Sequence, residues 1–133
     1  MFYVSADKSK QLLTMNFSRQ VGTDEMKSCL DEIRRSMGDM EPGFQLLTDL
    51  SNLESMEFAC TDYVGQIMDL CSAKGVSAVF RVVPDPKADL GYTLMSLFHY
   101  SRDVRTMTFE NIVDALRSLA PENAVDDDYS AVA

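Results

Sequence analysis

With 133 residues, 46% of them hydrophobic and 25% charged, the chain has the make-up of one globular domain, long enough to bury about two-thirds of its unfolded surface. A formal net charge of −9 opposes phosphate backbones and anionic headgroups, which disfavours nucleic acid and membrane surfaces as partners. No apolar run reaches the length of about 18 residues that a membrane span needs, and residues 1–7 lack the basic leader and apolar core of a signal peptide, so a cytoplasmic location is expected.

The first elements are two short strands, residues 2–5 and 12–17, joined by the polar connector Asp7-Lys8-Ser9-Lys10 as a hairpin. In the second strand Leu13, Met15 and Phe17 alternate with Leu12, Thr14 and Asn16, giving one apolar and one polar face. Gly22-Thr23-Asp24-Glu25 opens the first helix, with Thr23 as N-cap and two carboxylates at the positive end of the helix dipole. Its inward stripe is Met26, Cys29, Leu30, Ile33 and Met37, and Gly38 is expected to end it.

Pro42-Gly43 marks a turn before a largely apolar third strand, residues 44–50, as expected of a strand at the centre of a sheet. A short polar turn is expected next, then a second helix over residues 58–74 with the stripe Cys60, Val64, Ile67, Cys71 and with Gly75 just past its end. Residues 76–83 read as the fourth strand, in which Arg81 is expected to mark the more exposed face. Pro84-Asp85-Pro86 stops that strand and starts a third helix with the stripe Leu90, Leu94, Leu97, Phe98. A fifth strand over 104–109 leads to a last helix that turns Ile112, Ala115, Leu116 and Leu119 inward. Residues 121–133 have no core stripe. They carry Glu122, Asp126, Asp127 and Asp128 with no Lys or Arg, and so form an acidic, flexible tail on a domain of residues 1–120.

Little here points to catalysis or to a cofactor. Cys29, Cys60 and Cys71 fall on apolar stripes, where free thiols serve as small hydrophobes, and His99 is the sole histidine, so no zinc cluster can be assembled. Neither GxxxxGK[ST] nor GxGxxG occurs, which removes the usual phosphate cradles, and Glu54, Glu57 and Asp62 oppose an anion at the second helix's N-terminus. His99 fits the last turn of the third helix better than a catalytic role. The methionines at 26, 37, 68 and 95 suit core filling.

The strand–turn–helix–strand unit, with Asp49-Leu50-Ser51 closing the strand and Met56-Glu57 before the helix, resembles the central unit of STAS domains, the anti-sigma-factor antagonist family of SpoIIAA type. The element order matches across residues 1–120. The resemblance implies an α/β single domain: a mixed sheet of about five strands with about four helices packed mainly on one face. At the family's paired serines this chain has Phe58 and Ala59, and Cys60 stands at its glycine. A phosphorylation gate at those positions is therefore not expected; Ser51, Ser55 and Thr61 are the nearby hydroxyls.

The resemblance further implies a non-catalytic regulatory protein-binding module, with a kinase-type anti-sigma factor or a sensor as partner and no cofactor; a homodimer is compatible with it. The expected contact surface is the turn and the start of the second helix, with the loop over 84–89 beside it: Ser51, Asn52, Glu54, Ser55, Met56, Glu57, Phe58, Thr61, Asp62 and Asp85. Glu57 is either a fixed carboxylate where relatives install a phosphate or a favourable charge at the helix start. Phe58 is either folded inward or an interface anchor. Two other readings stay open: a carrier or sensor of a small apolar ligand or lipid, and an enzyme using Cys71 or His99, which would require those side chains to converge in a cleft.

Overall fold

Alternation in the second strand sets the architecture. In the computed structural model, which describes residues 1–85, 95, 96, 99–101 and 103–119, Leu13, Met15 and Phe17 are buried while their neighbours are half-buried. This strand, β2 (Leu12–Val21), pairs antiparallel with β1 (Phe2–Asp7) and parallel with β3 (Gln45–Met56). Then β4 (Ala78–Val82) and β5 (Arg105–Phe109) follow in parallel, giving a five-stranded mixed sheet in the order β1-β2-β3-β4-β5. Helix α1 (Thr23–Ser36) links β2 to β3, α2 (Thr61–Lys74) links β3 to β4, and α3 (Ile112–Leu119) follows β5.

The α1 stripe is as expected, with Met26, Cys29, Leu30 and Ile33 buried and Met37 partly so. On α2 Ile67, Met68 and Cys71 are buried. Both helices cover the face of the sheet that carries Leu13, Leu46 and Val79. Ala115 of α3 is buried on the opposite face, against Leu47, Phe80 and Val82. Central strands covered on both sides are largely apolar, and β4 is buried at all five positions, Arg81 included.

Several local expectations are revised. The N-cap of α1 is Gly22, without a side-chain cap, so Thr23 is its first residue. Gly38 does not end α1; it lies within a 3-10 turn, Met37–Asp39, that extends the helix. Gly75 does terminate α2, in left-handed conformation (φ 97°): its N–H donates to the carbonyls of Cys71 and Ser72, and the Val76 N–H reaches Cys71 as well. Leu116 is 48% exposed, because Ala115 is the residue that α3 turns inward. Arg81, expected on an exposed face, is only 3% exposed, since its face of β4 lies under the α2 layer. The third-helix stripe Leu90, Leu94, Leu97, Phe98 and the tail over 121–133 lie outside the described residues; Met95, Ser96 and His99 are helical.

Candidate functional site

The stretch expected to be a turn is a strand. β3 continues to Met56, pairing with β2 through Ser18↔Asn52, Arg19↔Leu53, Gln20↔Ser55 and Val21↔Met56. Its polar sequence hid it, because a strand paired on one side beyond the end of its other neighbour need not be apolar. Pairing with β4 stops at Asp49↔Val82, so residues 51–56 run past the carboxyl end of β4. Irregular register near Ser51 and again near Glu54 shows where β3 carries extra residues relative to β2.

Beyond that point the chain leaving β4 diverges. The Val83 N–H donates to the Phe109 carbonyl on the β5 side at 2.8 Å. A cleft of about 410 Å³ separates residues 83–85 from the β3 extension. It lies at the carboxyl ends of parallel strands, where ligands of α/β sheets commonly sit. Leu50, Ser51, Leu53, Glu54, Ser55, Met56, Val83, Pro84 and Asp85 line it. Five expected contact residues thus meet here: Ser51, Glu54, Ser55, Met56 and Asp85. The other five, Asn52, Glu57, Phe58, Thr61 and Asp62, are not among its lining residues.

Ser51 is engaged locally. Its Oγ donates to Asp49 Oδ1 at 2.5 Å and its N–H reaches the same oxygen at 2.9 Å, while Asn16 Nδ2 donates to the other Asp49 oxygen. Thr61 Oγ1 donates to the Phe58 carbonyl. These are turn and capping contacts. Met56 is half-buried and packs against the main core. Asn52, Glu54, Ser55, Glu57, Asp62 and Asp85 are exposed.

Helix α2 is preceded by a 3-10 turn, Phe58–Cys60, that buries Cys60 and leaves Phe58 88% exposed. Of the two roles open to Phe58, the inward one is excluded by this geometry. Glu57 donates its N–H to the Val21 carbonyl. Its carboxylate adjoins Gly22, where a Cβ would come within 2.5 Å of Oε1. The side chain therefore neighbours the start of α1, a placement that only the β2–β3 pairing creates.

Burial pushes the Cys71 thiol up to about 12, and His99 Nδ1 is bonded to Asp69 Oδ1 at 2.8 Å. The imidazole rests on α2 where Gly65 leaves room: a Cβ there would lie 2.8 Å from its Cε1. Sequence reading missed this arrangement, although a glycine inside an amphipathic helix is a signal of close approach. Among the described residues no group of three or more His, Cys, Asp or Glu side chains is placed to hold a metal.

A second cavity, between the sheet and α2, is lined by Met15, Phe17, Met56, Met68, Arg81 and Tyr100 among others. Its volume of about 30 Å³ accommodates roughly two waters and no acyl chain. Burial raises the Tyr100 phenol above its ordinary range, with the Arg81 guanidinium acting in the other direction. No helix among the described residues is long and apolar enough to cross a membrane.

No protein-family model matches the sequence, and no curated protein matches it. Solved structures do. An uncharacterized DUF3478-family protein from Shewanella loihica, described as having a SpoIIAA-like fold, superposes with a TM-score of 0.69 at 13% identity, covering 89% of this chain and 93% of its own. The Bacillus cell-fate determinant SpoIIAA in its phosphorylated form gives 0.58 at 13% identity, covering 88% and 100%. The structure of the diguanylate cyclase SiaD in complex with its activator SiaC, from Pseudomonas aeruginosa, gives 0.56 at 11% identity, covering 82% and 93%. Strand order, crossover helices and these superpositions agree: the chain has the SpoIIAA-like STAS fold.

Proposed function

We infer that this chain is a non-catalytic regulatory module that acts by docking on a protein partner, of kinase or sensor type, through the surface around the start of α2. The observation that carries the reading is Phe58. A phenylalanine 88% exposed on a 3-10 turn costs apolar hydration in the free protein. That cost is recovered when a partner pocket covers the ring, at about 1.5–3 kcal/mol for full burial. Exposed Glu57 and Asp62 on either side supply a charged rim that orients rather than anchors. The SiaD–SiaC complex supports the reading by analogy, since one protein there is named as the other's activator. A phosphate switch at positions 58 and 59 is not part of the proposal, because neither residue has a hydroxyl.

The test is capture from the native host lysate with wild type and Phe58→Ala side by side, followed by reconstitution with the purified partner. A regulatory protein that binds wild type directly and loses about 30-fold or more in affinity with the variant is the expected outcome. Equal binding by the two would remove Phe58 from the interface and the proposal with it.

A further inference from the structure

We propose that the partner protein covers Phe58 with a recess that is apolar at its floor and rimmed by Lys or Arg. This rests on the docking reading above and names the chemistry of the partner's surface. Shape is the first support. Phe58 is 88% exposed on the 3-10 turn Phe58–Cys60, and Ala59 beside it is exposed as well. Cys60 is buried and the Glu57 N–H donates to the Val21 carbonyl, so the turn is held at both ends and the ring stands out as a knob. A knob is buried by a recess rather than by a flat or convex surface.

Charge selects the rim. Between Arg35 and Lys74 the sequence carries seven carboxylates and no Lys or Arg. Two of them flank the ring, Glu57 beside Gly22 at the start of α1 and Asp62 in the first turn of α2. Both are exposed, and among the described residues neither carboxylate enters an ion pair or a hydrogen bond. Arg19, opposite Leu53 on β2, and Lys27 on α1 are exposed cations of the adjoining elements, and they form no ion pair with them. Under the turn the Cys60 thiol is raised by burial first and then by the charge of Glu57, with Glu25 a smaller contributor, so the local field is negative. A recess closing over Phe58 draws water from Glu57 and Asp62, and a carboxylate stripped of water without a cation opposes binding. A neutral recess is disfavoured on that ground. A second copy of this chain brings the same carboxylates and the same net charge of −9, and an anionic membrane brings phosphates, so both meet like charge. Lys or Arg at the partner's rim answers the carboxylates while the floor takes the ring.

The probe is amino-β-cyclodextrin, an apolar recess with an ammonium rim, titrated into the full chain beside neutral β-cyclodextrin and followed by amide resonances. The aminated host should bind about tenfold more tightly than the neutral one, shift the amides of residues 57–62, and lose its binding with Phe58→Ala. In Glu57→Gln/Asp62→Asn the two hosts should bind within about twofold of each other. Two hosts that bind wild type equally, or a preference that survives in the double variant, overturn the cationic rim. The partner captured through Phe58 separates this inference from the docking reading. Its affinity for wild type should fall about tenfold between about 0.05 M and about 0.5 M salt, and at low salt the double variant should bind it about tenfold more weakly. If the double variant binds that partner at wild-type strength, the cationic rim falls and the docking module stands; if Phe58→Ala also binds normally, both fall.

Discussion

Two glycines that look alike in the sequence should respond oppositely to alanine. Gly75 holds φ 97° at the end of α2, and a Cβ there would meet Pro42 Cα and Cβ at 3.1 Å. An L-residue in the left-handed region costs about 1–2 kcal/mol, and crowding against backbone that cannot swing away adds roughly 1. Gly75→Ala should therefore lose about 2.5 kcal/mol, a large share of the 5–15 kcal/mol that is typical of a domain. At about 2.1 cal/mol/K per residue, 133 residues give about 0.28 kcal/mol per kelvin, so the loss appears as a Tm lowered by about 9 °C. Gly38 has no positive φ and nothing within 4 Å of its notional Cβ. Gly38→Ala should be neutral or stabilising by about 0.5 kcal/mol, through the unfolded chain. Urea and thermal unfolding followed by circular dichroism measure both. A Gly75→Ala protein within 0.5 kcal/mol of wild type would refute the left-handed cap and its approach to Pro42.

Other perturbations test separate parts of the molecule. Gly65→Ala drives a methyl into the His99 ring and should cost about 1–2 kcal/mol, whereas in a His99→Ala background the same change should become favourable by up to about 1 kcal/mol; additive effects in the double-mutant cycle would show that the two residues do not touch. Cys29 and Cys71 are pushed from 9.0 to about 12 by burial, with Glu32 adding to the rise at Cys29. Their folded-state values are raised, so the stability they hold is complete below pH 9 and is lost as the pH climbs toward 12; denaturation midpoints flat across that window in a chain with both thiols would contradict it. In the native state both thiols should resist a disulfide-exchange reagent at pH 8 and react on unfolding. Phe58→Ala should leave the unfolding midpoint within about 0.5 kcal/mol of wild type, and a larger loss would mean that the ring is packed rather than exposed.

Local periodicity in the sequence determined the elements of the fold. Alternation at Leu13, Met15 and Phe17, the stripe at Met26, Cys29, Leu30 and Ile33, and the left-handed stop at Gly75 follow from backbone geometry and apolar spacing, which neighbouring residues enforce. The resemblance carried by Asp49-Leu50-Ser51 and the element order extended these to the STAS fold. Tertiary structure decided the rest, because each remaining feature depends on a partner far along the chain. Residues 51–56 are polar yet form a strand because β2 supplies their hydrogen bonds. Arg81 is charged yet buried because β4 is roofed by a helix layer. The Glu57 carboxylate adjoins Gly22, and Phe58 stands in solvent, because the end of β3 is tied to Val21 before the chain turns into α2. Spacing along one segment records which side chains share a face; it carries no record of what that face will meet.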